Sequence, residues 1–191
     1  MRVIAGTARG RRLSAPRGHL TRPTSDKVRE ALFAILSSMS GPLEGGAVLD
    51  VFAGTGALGI EAMSRGADCA IFIDSNREAA AVVTGNLETT GFADRSRVIT
   101  RDFNAAFSFL EQDGMRFRLV FLDPPYRKGL LQKCLDRLQE STLLERDCVV
   151  VAELSSREHL DTAFGALELM DRRVYGDTAL AFFTMTRKGQ Q

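Results

Sequence analysis

The segment Leu119-Val120-Phe121-Leu122-Asp123-Pro124-Pro125-Tyr126 concentrates groups that could do chemistry. An apolar run leads into a carboxylate, and two prolines then fix the backbone and leave carbonyl oxygens without competing N–H groups. Such a platform can accept two N–H bonds, one on the Asp123 carboxylate and one on the Pro124 carbonyl. An exocyclic amine of a nucleobase is nearly planar and a poor nucleophile. Held by those two acceptors, its lone pair would be aimed at an electrophile, with positioning and electrostatics doing most of the catalysis. Tyr126 would stack on the base, an interaction worth about 1–3 kcal/mol. Alone, the segment reads equally well as a turn, since Asp and Pro are common in turns.

A second constellation precedes it. In Asp50-Val51-Phe52-Ala53-Gly54-Thr55-Gly56-Ala57-Leu58-Gly59 the glycines match G-x-G-x-x-G between an expected strand and an expected helix. The glycines allow a tight turn and close backbone approach to a ligand, and the helix start offers N–H groups to an anion. Asp74 follows Gly54 by 20 residues, at the end of the next apolar run, where a carboxylate can accept both hydroxyls of a ribose. A nicotinamide dinucleotide and S-adenosylmethionine both satisfy these features. Asp50, read as part of the turn, separates them: it would repel a pyrophosphate but suits the sulfonium and amino group of S-adenosylmethionine. Asp102 could hold the adenine amino group and Phe103 pack its ring, although Asp102 reads equally as a helix cap. Phe52, in the turn itself, joins the cofactor-binding set.

These residues need a frame that brings strand ends together. Apolar runs at 47–51, 69–73, 97–100, 119–122 and 148–152 are continuous in polarity, as in parallel strands covered on both faces. Helical patterns lie between them, near 57–65, 76–90, 103–112, 129–140 and 156–164. The alternation predicts an α/β, doubly wound sheet, mostly parallel. Leu167 to Tyr175 and Thr178 to Thr186, joined by Gly176-Asp177, predict a C-terminal antiparallel hairpin. Open sheets of this kind bind ligands at the carboxyl ends of their strands, which is where Asp50, Asp74, Asp102 and Asp123 fall. Before the sheet, residues 24–40 read as one amphipathic helix capped by Thr24 or Ser25 and stopped near Gly41-Pro42. Residues 1–23 read as a short β-ribbon or arm, and 24–191 as the catalytic domain.

The net charge of +1 is unevenly spread. Residues 1–30 hold eight basic side chains against two acidic, and the rest of the chain seventeen against twenty-two. A cationic arm on a mildly acidic body suggests a polyanionic partner, with Arg9, Arg11, Arg12, Arg22, Lys27 and Arg29 as candidate phosphate ligands. A solvated basic tail is the plainer alternative. The cysteines, Cys69, Cys134 and Cys148, make neither a disulfide framework nor a metal-ligand pattern, so no metal is expected and a reducing cytoplasm is. There is no signal-peptide pattern and no apolar stretch of membrane-spanning length. His19 and His159 stand away from every strand end named above.

The chain resembles the Rossmann-like S-adenosylmethionine-dependent methyltransferases of the D/N-P-P-Y/F type. More closely it is similar to the bacterial 16S ribosomal RNA guanine-N2 methyltransferase D family. Met1-Arg2-Val3-Ile4-Ala5-Gly6 with Arg9-Gly10-Arg11, and Arg22-Pro23-Thr24-Ser25-Asp26-Lys27-Val28-Arg29-Glu30, carry the closer likeness; the glycine and D-P-P-Y motifs carry the wider one. The resemblance implies that Asp50, Gly54 and Gly56 line the methionine end of the cofactor, Asp74 its ribose and Asp102 its adenine, with Asp123 to Tyr126 holding guanine. It implies 16S ribosomal RNA as substrate, alone or within a partly assembled small subunit, and the chain is expected to act as a monomer. Other readings are a DNA adenine-N6 methyltransferase, disfavoured by the lack of a target-recognition domain; a protein glutamine methyltransferase, which would more usually carry Asn at 123; an NAD-dependent oxidoreductase; and an RNA-binding module without activity.

Overall fold

In the computed structural model, which describes residues 1–16, 26–41, 43–125 and 129–186, the apolar runs form the centre of one sheet. They are β1 (Ala47–Val51), β2 (Cys69–Ile73), β3 (Ser96–Ile99), β4 (Phe117–Leu122) and β5 (Leu144–Ser155). All five are mutually parallel in the order β3-β2-β1-β4-β5. Helices α2 (Ala57–Ser64), α3 (Arg77–Thr90), α4 (Phe103–Gln112) and α5 (Leu130–Gln139) make the crossovers, and α1 (Asp26–Ser40) precedes them. The strand order reverses between β1 and β4, which opens a crevice at their carboxyl ends.

Continuous apolarity in these strands follows from burial on both faces. Leu49, Val51, Val120, Leu122 and Val150 meet Phe107 and Leu110 of α4 and Leu131, Leu135 and Leu138 of α5. Val48, Phe72, Phe121 and Val151 meet Phe33 of α1, Ile60 of α2 and Val83 of α3 on the other face.

The hairpin forms as its turn signal predicts. Strands β7 (Leu167–Tyr175) and β8 (Thr178–Met185) pair antiparallel around Gly176, and β8 inserts beside β5. The helix expected at 156–164 does not form. Leu160 and Phe164, both buried, are spaced as on a helix face, yet the segment is a turn and an irregular stretch ending in β6 (Ala163–Phe164) on the edge of β7. Its polar backbone groups go to the hairpin: the Ser156 N–H donates to the Asp177 carbonyl, and the Arg172 guanidinium donates to the carbonyls of Ser156 and Glu158.

The N-terminal residues form the expected ribbon, closed by a bridge between Arg2 and Arg12 and by N–H bonds from Val3 to Arg11 and from Gly10 to Val3. Val3, Ala8 and Leu13 are buried in the core on the α1 side of the sheet. Glu61 of α2 fastens the ribbon by accepting from the backbone N–H groups of Ile4 at 2.7 Å and Ala5 at 3.0 Å.

Candidate active site

Each parallel strand delivers an acid at or just beyond its carboxyl end. In sheet order these are Asp102 after β3, Asp74 after β2, Asp50 in β1, Asp123 after β4 and Glu153 in β5. At about 4.8 Å between neighbouring strands, the row runs about 20 Å along the sheet edge.

Asp50 is the penultimate residue of β1 and is buried, rather than lying within the turn as its proximity to the glycines suggests. Its Oδ2 accepts the Gly59 N–H at 2.9 Å, one of the donors that the first turn of α2 cannot satisfy internally. Burial pushes its carboxyl up to about 7 despite that bond, and the charge of Asp74 adds to the rise. Between Asp50 and α2 the chain turns through Phe52 at φ 65°, Gly54 at φ 56° and Gly56 at φ 73°. Phe52 is the one non-glycine residue with positive φ among the described residues, a strain of about 1–3 kcal/mol that marks functional turns. Its ring lies 5.9 Å from that of Phe103. Gly59 serves packing: a Cβ there would fall 2.4 Å from the ring of Phe72.

Asp74 is pinned by two backbone donors, the Gly54 N–H on Oδ2 at 2.9 Å and the Asn76 N–H on Oδ1 at 2.8 Å. Each oxygen keeps a second lone-pair direction, which is what a vicinal diol needs. Asp102 caps α4, accepting from the Ala105 N–H at 3.1 Å, so its capping role is realised; Phe103 beside it is buried. Asp123 is half-buried, and Pro124 behind it is buried. Burial, then the charges of Glu153 and Asp50, hold the Asp123 carboxyl well above the usual carboxylate range. Tyr126 lies outside the described residues.

The basic candidates separate. Arg9, Arg11, Arg12 and Lys27 are exposed. Arg22 lies outside the described residues. Arg29 is not at the surface: it is buried under the ribbon, where it donates to the Arg2 carbonyl and to Asp26 Oδ1. Its place in a run of cations gave no sign of this, because the burial comes from α1 packing against the ribbon.

Two residues escape a reading by motif. Glu153 is buried beside Asp123. An acid directly after the apolar run 148–152 was the available signal, the same one that singles out Asp74. Asn86 of α3 is the other: its side chain accepts from the Ser14 N–H at 2.8 Å and donates to the carbonyls of Ser14 at 3.0 Å and Thr55 at 2.9 Å. One buried amide thus joins the end of the arm to the glycine turn.

The row suits S-adenosylmethionine better than a dinucleotide. A Cβ at Gly54 would meet nothing closer than the Phe52 carbonyl at 3.9 Å, Asp50 offers a negative charge to an ammonium, and Asp74 offers paired acceptors to a ribose. A pyrophosphate would face Asp50 and Asp74 together. Among the described residues no group of three or more His, Cys, Asp or Glu side chains could hold a metal ion, and no helix is long and apolar enough to cross a membrane.

Fold and site together define a Rossmann-like methyltransferase. The solved structure of yhhF from Escherichia coli superposes on the chain with a TM-score of 0.83 at 35% identity, covering 98% of this chain and 99% of that one. A family model described as Conserved hypothetical protein 95 matches residues 1–184. Ribosomal RNA small subunit methyltransferase D of Escherichia coli K12 is 35% identical over 190 residues, which is 100% of this chain and 92% of that protein. YlbH of Bacillus subtilis is 40% identical over 184 residues, 96% of this chain and 98% of its own. The chain belongs to the Conserved hypothetical protein 95 family, to which ribosomal RNA small subunit methyltransferase D also belongs.

Proposed function

We propose that this protein transfers a methyl group from S-adenosylmethionine to the exocyclic N2 amine of a guanine in small-subunit ribosomal RNA. The observation that carries the reading is the placement of Asp123-Pro124 at the end of β4, directly across the switch point from Asp50 and the glycine turn. When bound, S-adenosylmethionine supplies an electrophilic methyl group on a sulfonium. The chain's residues do the rest. Asp50, Gly54 and Gly56 hold the methionine end, Asp74 the ribose, and Asp102 with Phe52 and Phe103 the adenine. Asp123 accepts one N–H of the guanine amine and the Pro124 carbonyl the other, which turns the nitrogen lone pair toward the methyl carbon. Pro125 keeps that carbonyl in place, and Tyr126 stacks on the base. As the nitrogen gains its methyl group it must lose a proton. Water can take it, and the raised proton affinity of Asp123 makes its carboxylate a second acceptor already in contact.

Arg9, Arg11, Arg12, Arg22 and Lys27 dock the RNA backbone, with residues 1–23 as the docking extension of the methyltransferase domain. Support for RNA as substrate comes from the relative named above as a ribosomal RNA methyltransferase and from the exposure of four of these cations. Mass spectrometry of small-subunit ribosomal RNA nucleosides from cells with and without this protein tests the assignment. One N2-methylguanosine should be missing without it; a missing methyladenosine instead would transfer the site to adenine.

A further inference from the structure

The glycine turn after β1 and Asp123-Pro124 after β4 flank the switch point of the sheet, and the neighbouring strand β5 brings one more acid next to it. In the β4–β5 ladder Leu122 pairs with Ala152, so the next step places Asp123 beside Glu153. Parity fixes the face. Glu153 pairs with Leu180 and Val151 with Phe182, and Val151, Leu180 and Phe182 all pack in the core on the α1 side. Asp50 belongs to that face too, through its pairing with Phe121 of the same core. Glu153 is 6% exposed, so it stands buried in the sheet rather than at the surface. The three acids interact electrostatically around Asp123.

Three ribonucleic acid bases carry an exocyclic amine, and they differ in the ring atom beside it. Beside the amines of adenine and cytosine stands a ring nitrogen with a lone pair. Guanine alone has an N–H there, at N1, pointing the same way as one of the amine hydrogens. We infer that Glu153 selects guanine by accepting its N1–H while Asp123 accepts from the N2 amine. This inference rests on the guanine-N2 reading above. Two adjacent carboxylates match two adjacent donors, whereas adenine or cytosine would set a ring lone pair against the Glu153 oxygen and leave a buried acceptor facing an acceptor.

The test uses 2-aminopurine, which keeps the N2 amine but carries a lone pair at N1. Small-subunit ribosomal RNA is prepared with guanine or 2-aminopurine at the nucleotide the wild-type protein methylates, and kcat/KM is measured for each. The wild type should prefer guanine by about 10- to 100-fold, the worth of one hydrogen bond to a charged group. E153Q should lose about tenfold on guanine and gain on 2-aminopurine, because the glutamine amide can donate to N1. Its affinity for S-adenosylhomocysteine, measured by calorimetry, should be unchanged. A wild-type protein that accepts both bases equally overturns the inference without any variant, and so does an E153Q protein that binds S-adenosylhomocysteine normally but keeps the wild-type ratio. If the wild type makes no N2-methylguanosine at all, it is the guanine reading that has failed.

Discussion

Asp50 is held at a cost to stability, and D50N should expose that cost. Its carboxyl is pushed from an ordinary 3.8 up to about 7 in the folded chain. Below about pH 4 the group is protonated whether folded or not, so it has no effect on stability. Between about 4 and 7 the folded state keeps a proton that the unfolded chain has lost, and stability falls as pH rises. Above 7 the deficit is constant, and the difference between 3.8 and about 7 sets it at about 4 kcal/mol. Asparagine is nearly isosteric, and its carbonyl can still accept the Gly59 N–H, but placing an NH2 group where a carboxylate oxygen stood in a buried site costs about 1 kcal/mol. D50N should therefore be about 2–3 kcal/mol more stable than wild type at pH 8, raising Tm by roughly 5–10 °C, and no more stable at pH 4.5. Thermal melts across this pH range measure the difference. At pH 8 the same variant should bind S-adenosylmethionine at least tenfold more weakly, because the ammonium loses its counter-charge. A D50N protein destabilised equally at pH 4.5 and pH 8 would show that the buried carboxyl carries no penalty.

Replacing Arg9, Arg11 and Arg12 together should lower the log–log salt slope of RNA binding by about 0.7–0.9 for each phosphate that is no longer neutralised, leaving cofactor affinity alone; an unchanged slope would make the arm a solvated tail. G59A places a methyl group 2.4 Å from the buried Phe72 ring, and urea unfolding should show a destabilisation of about 1–3 kcal/mol. N86A removes the bonds joining Ser14 to Thr55, so amide exchange at Ser14 should accelerate and cofactor affinity fall several-fold, although Asn86 is not in the row of acids. Methyl transfer should weaken as pH drops below about 7, where Asp50 gains its proton and no longer offers a negative charge. A rate that stays flat down to pH 5.5 would separate Asp50 from cofactor binding.

Much of this site is legible because strand ends are legible. Each apolar run followed by an acid placed a carboxylate at the sheet edge, and Asp74 and Asp123 stand where that rule puts them. The limits of five helices and of the hairpin follow from apolar periodicity and glycine stops. What the sequence hid depends on packing between distant segments. Arg29 reads as one more surface cation because nothing local records the ribbon that covers it. Leu160 and Phe164 suit a helix face as well as a sheet margin, and the choice was made by β7, which takes up the backbone of 163–164. Glu153 needed the β4–β5 register, which no single strand contains. Asp50 looks like part of the glycine turn because it stands only four positions before Gly54, yet the strand extends past it and buries it.

The role on which the proposed reaction depends is that of Asp123, which holds the guanine amine for methylation. Its most direct test is single-turnover transfer from methyl-deuterated S-adenosylmethionine to small-subunit ribosomal RNA, with nucleosides resolved by mass spectrometry and wild type run beside D123A. Deuterium should appear in N2-methylguanosine with the wild type. D123A should bind S-adenosylhomocysteine almost as well but transfer about 10²–10³ times more slowly, the scale of one preorganised electrostatic interaction. Label on any other nucleoside, or transfer by D123A at the wild-type rate, would contradict it.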